Sequence, residues 1–321
     1  MGMTASVLGA SGYSGGELLR LLAAHPALQV AAAGAHSRAG EAWGEALPNF
    51  GGVEGALVDI ETAAAVEADI CFSCLPGGQL PARVGSIAAD VVIDLSDDHR
   101  ADPKWVYGLT EFARVDVVGA KRIANPGCYP TATLLALTPF VRASLVQDPV
   151  VVDAMSGVSG AGRRAEDRLV YANASDNTAA YGVVPHRHIP EMERGLKDFG
   201  GSEMTVSFTP HLVPMPRGLV ATVRARLARP LTDDEAFEVL ADAYKQEAFV
   251  HATRAWPGSK AVSGSNDALV SAHVDERTGW LIASAAIDNL GKGAAGQALQ
   301  NANVALGLEE HAGLTHIGVW P

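Results

Sequence analysis

Short, continuously apolar runs alternate with polar turn segments over the first 125 residues, the pattern of strands buried on both faces of a parallel sheet. Residues 5–8, 28–33, 68–75 and 90–95 are the predicted strands. Between the first two, residues 17–24 repeat apolar positions at helical spacing and end near Pro26. A further helix is predicted from the apolar run 132–137, with Pro139 as its stop. From 150–155 onward the pattern changes. Residues 204–208 and 219–227 alternate or run apolar as strands of a mixed sheet, and 233–246 reads as a charged amphipathic helix. Residues 266–287 give more strands around a turn near 276–279, and 288–297 form a glycine-rich lead-in to a helix reaching about Leu306. No internal repeat or low-complexity linker divides the chain. A length of 321 residues suits two domains or one large one.

Composition narrows the class. A hydrophobic content of 48% and a mean hydropathy of +0.13 supply ample core. No apolar run is long enough, and free enough of charge and proline, to span a bilayer. The N-terminus lacks a basic segment followed by an apolar one, so a cytoplasmic enzyme is expected. A formal charge of −12 argues against nucleic acid or an anionic membrane as partner. Three cysteines make no disulfide framework. Cys71 and Cys74 form a C-x-x-C pair with no second pair to complete a zinc site, and no metal is expected.

Candidate chemistry begins at Gly9-Ala-Ser-Gly12-Tyr-Ser-Gly15, between the first strand and the first helix. Glycines there let backbone close on a pyrophosphate, and the helix N-terminus receives its charge. After the second strand the chain reads Ser37-Arg38 rather than an acidic residue. These side chains suit a ribose 2′-phosphate, so NADP is favoured over NAD. Later strand ends lead into Pro76 and into Ser96-Asp-Asp-His-Arg100, where Arg100 fits a carboxylate or phosphate ligand and a surface charge equally.

Asn125-Pro-Gly-Cys128-Tyr-Pro-Thr131 puts a lone cysteine at a helix N-terminus. Unpaired amides and the helix dipole favour a thiolate there and can hold an oxyanion. A buried cysteine capping a helix fits the same spacing. Ser156-Gly-Val-Ser-Gly-Ala-Gly162, followed by Arg163 and Arg164, resembles a phosphate cradle. His186-Arg-His188-Ile-Pro-Glu191 offers a proton acceptor and donor, with Glu191 able to orient one imidazole.

Taken together, these motifs and Asp288-Asn-Leu-Gly-Lys-Gly-Ala-Ala-Gly-Gln297 resemble the N-acetyl-gamma-glutamyl-phosphate reductase family over nearly the whole chain. The resemblance implies an α/β protein. A Rossmann-type parallel-sheet domain of residues 1–127 plus about 298–321 is interrupted by an α+β catalytic and oligomerisation domain of mixed sheet, 128–297. It implies NADP(H) and reversible reductive dephosphorylation of an acyl phosphate, with inorganic phosphate released. It also implies a homodimer or homotetramer. Cys128 is then the nucleophile and His186 or His188 the acid/base. Cofactor contacts are expected from Gly9, Ser11, Gly12, Tyr13, Ser14, Gly15, Ser37, Arg38, Cys74, Leu75, Pro76, Ser96, Ser156, Gly157, Asn289 and Lys292. Substrate contacts are expected from Arg100, Asn125, Ser159, Gly160 and Arg217. His99 departs from the pattern, since the family usually has phenylalanine before the arginine. The rivals are a carrier-linked aminoadipyl-phosphate reductase, aspartate-semialdehyde dehydrogenase, and an NADP sensor without catalysis.

Overall fold

The computed structural model describes residues 2–320, which form two compact units. The first holds the chain up to Pro126 together with Ala294–Leu314, and the second holds Gly127–Gly293 together with the segment from Thr315. The last residues therefore pack with the second unit: Asn266 N donates to Thr315 O and Val319 N to Ser263 O.

Six strands make the first sheet: β1 Met3–Leu8, β2 Leu28–Gly34, β3 Ala68–Ser73, β4 Ala89–Asp94, β5 Val106–Tyr107 and β6 Arg122–Ala124. Their order is β2-β1-β3-β4-β6-β5, and every pairing is parallel. Ala5, Val7, Ile70, Phe72, Val92 and Ile123 are wholly buried. Burial on both faces is what their unbroken apolar runs require.

Register lines up Leu8 with Gly34 and Ser73, Ser73 with Asp94, and Asp94 with Ala124. The turns after β1, β2, β3, β4 and β6 thus leave one edge of the sheet, where ligands of such sheets bind. A closing helix, Gly296–Ala305, packs on the helix Thr110–Val117 through a buried polar seam. Asn301 Nδ2 donates to Gly108 O at 2.7 Å and Asn301 Oδ1 accepts from the Thr110 hydroxyl at 2.8 Å. A Cβ on Gly108 would sit 2.5 Å from Asn301 Nδ2, so only glycine permits this approach.

The second unit carries a mixed sheet of seven strands: β7 Val146–Gly157, β8 Ala179–Ala180, β9 Val206–Val213, β10 Leu219–Leu227, β11 Val250–Ala252, β12 Ala268–Asp275 and β13 Trp280–Ile287. Their order is β11-β12-β13-β10-β7-β9-β8, with β7–β9 and β11–β12 parallel and the rest antiparallel. β9 runs on through Pro210 to Val213, five residues beyond the predicted strand end at 208, into the proline-rich stretch 209–218. Its outer neighbour β8 pairs only with His211 and Leu212, and a strand proline is tolerated at so thinly paired an edge.

The cysteine helix, Cys128–Arg142, packs against the helix Ile189–Gly200. Gly195 makes that contact close, since a Cβ there would lie 2.5 Å from Leu134 Cδ1. The cysteine helix also continues past Pro139, which the sequence marked as its stop. Proline removes the amide that would bond to the carbonyl four residues earlier. That carbonyl, Leu135 O, accepts instead from the buried Tyr244 hydroxyl at 2.6 Å, so the turn survives.

Candidate active site

In the first unit backbone hydrogen bonds close the turn after β1. Gly9 N and Ala10 N both donate to Gly34 O, and Gly12 N donates to Gly9 O. Gly9 has φ +81°, and a Cβ on it would stand 2.7 Å from Cys74 O. A Cβ on Gly15 would stand 2.3 Å from Gly9 O. Helix Tyr13–Ala23 then starts on Gly12 with no side chain capping it. Ser11 and Ser14 are half-buried on this turn and Tyr13 is exposed. An uncapped helix start behind glycines that exclude any Cβ is the cradle a pyrophosphate needs, so these residues fit a dinucleotide. Cys74, Leu75 and Pro76 come to the same turn by backbone, with Cys74 N donating to Leu8 O. Burial pushes the Cys71 thiol up to about 11 and raises Cys74 as well, which keeps both protonated.

Ser37 is exposed, but Arg38 is already engaged. Its Nε donates to Glu41 at 2.8 Å, and its terminal nitrogens donate to Ala46 O at 2.7 Å and Glu45 O at 2.9 Å. A 2′-phosphate at this position would compete with Glu41 for the guanidinium. Beyond β4, buried Asp94 organises the turn. It accepts from Ser96 N at 2.9 Å and from the Ser96 hydroxyl at 2.8 Å, and His99 Nδ1 lies 2.7 Å from its Oδ2. His99 replaces the expected phenylalanine as a flat ring stacked on Trp105, 4.0 Å between centroids. It keeps the aromatic packing and adds a bond to Asp94. Arg100 is fixed by Nε to Asn125 O at 2.9 Å and Nη2 to Leu95 O at 3.1 Å. Asn125 is wholly buried, its amide bonded to Ala294 O at 3.1 Å and its oxygen to Asn301 at 3.1 Å. The Asn125 side chain therefore serves the packing of the closing helix.

In the second unit Cys128 is the first residue of its helix, behind extended Gly127 and with no side-chain cap. Its surroundings are tight: a Cβ on Gly293 would lie 2.8 Å from Cys128 Cβ. Glu191 was read as an orienter of imidazole. Its Oε1 accepts from Gly127 N at 2.8 Å, which ties the histidine segment to the cysteine turn. Tyr129, the next residue, meets both histidine rings edge-on with centroids 5.9 Å away, and its hydroxyl lies 3.0 Å from that of Tyr181. His186 and His188 are 4.9 Å apart at their ring centroids. His188 N donates to His186 Nδ1 at 3.1 Å, so the proton of neutral His186 sits on Nε2. Burial, with help from the Arg187 charge, brings His186 down to about 4. Desolvation first, then Tyr181 and Cys128, holds the Tyr129 phenol above its ordinary range.

The sheet edge of this unit collects the glycine-serine residues. Register places Leu219 opposite Ser156 and Ile287, so the end of β7, the start of β10 and the end of β13 coincide. Asn289 Nδ2 donates to the Ser159 hydroxyl at 2.9 Å, and Asn289 Oδ1 accepts from Gly218 N at 2.7 Å. A Cβ on Gly157 would meet Met215 O at 2.8 Å, and one on Gly160 would meet Ser156 Oγ at 2.8 Å. Arg217 pairs with buried Asp288 at 2.9 Å, and Lys292 is fully buried near Phe249. Arg163 and Arg164 stay exposed. Two residues escaped the sequence reading. Asp288, which also accepts from Gly264 N, Leu290 N and Gly291 N, stood at the head of the glycine-rich motif without a role of its own. Tyr129 was hidden inside the cysteine motif, where an apolar neighbour is expected anyway.

Comparison with known proteins agrees with both halves. Residues 4–120 match the semialdehyde dehydrogenase NAD binding domain, and 128–289 the semialdehyde dehydrogenase dimerisation domain. The N-acetyl-gamma-glutamyl-phosphate reductases of Frankia casuarinae and Acidothermus cellulolyticus are 45% and 44% identical, over all of this chain and all of theirs. Aspartate semialdehyde dehydrogenase II of Vibrio cholerae, complexed with ASA, shares the fold at TM-score 0.76 and 19% identity, with 95% of this chain and 98% of that one covered. The Candida albicans aspartate semialdehyde dehydrogenase with NADP gives 0.70 and 19%, with 95% and 98% covered. With glycine turn, cysteine helix and histidine segment all in place, the chain belongs to the N-acetyl-gamma-glutamyl-phosphate reductase family of oxidoreductases.

Proposed function

We propose that this enzyme reduces N-acetyl-gamma-glutamyl phosphate to N-acetylglutamate 5-semialdehyde, releases inorganic phosphate and uses NADPH, as a step of arginine biosynthesis. The observation that carries this reading is the link from the histidine segment to the cysteine turn, Glu191 to Gly127, beside a Tyr129 ring that touches both imidazoles. The Cys128 sulfur attacks the acyl carbon, the acyl–phosphate bond breaks, and a thioester remains on the protein. Amides at the uncapped start of the cysteine helix hold the oxygen that gains charge. NADPH, held by the Gly9–Gly15 turn with Ser37 and Arg38 at its ribose phosphate, supplies the hydride when bound. His186 or His188 gives a proton to the resulting thiohemiacetal oxygen and takes it back as the aldehyde leaves Cys128. Ser159, Gly160, Arg217 and Arg100 are the residues proposed to meet the substrate. The dimerisation domain supports a homo-oligomer.

Assays of the acetylglutamyl, aspartyl and carrier-linked aminoadipyl phosphates side by side test the substrate. Cys128→Ser should bind NADPH normally, with turnover down by roughly three orders of magnitude or more. Near-normal turnover of Cys128→Ser would remove the thioester, and preference for another acyl phosphate would reassign the substrate.

A further inference from the structure

Outside the cysteine–histidine cluster, one group in the second unit draws metal-ligating side chains from three remote stretches of chain. His251 lies on β11, Asp267 immediately precedes β12, and His316 belongs to the returning C-terminal segment. His251 Nε2 is 3.3 Å from Asp267 Oδ2, and His316 Nδ1 is 2.8 Å from Asp267 Oδ1. All three ligand atoms fall within 4.8 Å of one another. The carboxylate is 12% exposed and the two imidazoles 43% and 50%, so an ion can arrive from solvent without opening the core.

The scaffold around the cluster is held independently of it. β11 pairs with β12 in parallel register, Asn266 N bonds to Thr315 O at 3.0 Å, and Val319 N bonds to Ser263 O at 2.7 Å. Each neutral ring can carry its one proton on the outward nitrogen and leave the inward one as a ligand.

We propose that His251, Asp267 and His316 form a binding site for a divalent transition ion of the zinc type. Two imidazole nitrogens and a carboxylate match the ligand preference of that ion, with solvent completing the shell. Ligands around 2.0–2.2 Å from one centre lie no more than about 4.4 Å apart, so small rotations of the exposed rings close the site. The negative net charge of the chain favours the approach of a cation. Occupied, the site cross-links the C-terminal segment to the edge of the mixed sheet.

The test is titration with Zn²⁺ and Co²⁺ after iodoacetamide has blocked Cys128, with Mg²⁺ as control. One Zn²⁺ per chain, a Co²⁺ spectrum free of thiolate charge transfer, and a raised Tm with Zn²⁺ are expected. Loss of an outer-shell partner costs 10–100-fold in metal affinity, so His316→Asn and His251→Gln, each losing a ligand, should weaken binding at least ~100-fold. Both rings are exposed, and circular dichroism verifies that the variants fold. Absence of stoichiometric binding, or binding unchanged in both variants, overturns the site.

Discussion

His186 is held neutral by its surroundings well below the ordinary histidine range, down to about 4. In the unfolded chain the ring takes its proton near 6.5. Between these values the unfolded state binds more protons, so stability falls as pH drops from 6.5 to about 4 and levels off below. His25, lowered chiefly by burial, acts in the same direction. Urea midpoints taken across this window should therefore fall with acid, and less steeply in His186→Asn; parallel slopes in the two proteins would contradict the burial argument. Near neutral pH the ring is neutral, with Nδ1 engaged by the His188 amide and its proton on Nε2. At this scale the cysteine, the histidines and the glycines were legible because each type has few uses in its setting. Arg38 and Asn125 were less so. Glu41 is a local partner three residues on, but the Ala46 carbonyl reaches Arg38 only once the chain turns back, and Asn301 comes to Asn125 from the far end of the sequence.

At the scale of elements the same contrast holds. Unbroken apolar runs gave β1–β4 of the parallel sheet to within two residues, since burial on both faces leaves composition little freedom, whereas β5 and β6, two and three residues long, carry too short a run to be seen. The end of the cysteine helix was misjudged because Pro139 reads locally as a stop, whereas its missing bond is replaced from 105 positions away by Tyr244 (244 less 139). Tyr244→Phe should leave Leu135 O without that donor and destabilise the protein by about 1–3 kcal/mol, measured by urea denaturation. Pro139→Ala restores an amide in the turn and should recover part of that loss in the double variant. If the double variant is no more stable than Tyr244→Phe alone, the tyrosine acts by packing. Gly195 is a second such joint. Replacing it with alanine forces Leu134 aside and should cost about 1–3 kcal/mol.

The whole molecule is threaded through its two units rather than divided into a front and a back. The first unit is complete only with Ala294–Leu314, whose helix supplies Gln297, Gln300 and Asn301 to the seam on Thr110–Val117. A fragment of residues 1–126 should accordingly show no cooperative melt and bind no NADPH. A chain joining Pro126 to Ala294 through a short glycine linker should do both, because Asn125 Nδ2 already reaches Ala294 O. Calorimetry on the two purified fragments decides it, and a cooperatively melting 1–126 would refute the argument. Two domains were legible from length and from the change of pattern near residue 150. The polar seam was not, since buried amides look like surface residues in a sequence until their partners are known.

This threading bears on how the protein is made. A ribosome releases the glycine turn first, yet the helix that finishes the fold around it is complete only 179 residues after Pro126 (305 less 126). At an elongation rate of about 5–20 residues per second, the nascent nucleotide-binding half waits roughly 10–40 s with its last layer missing. Through that interval the Gly108 carbonyl and the Thr110 hydroxyl lack their amide partners, and a message truncated before the final helix should yield no usable half-enzyme.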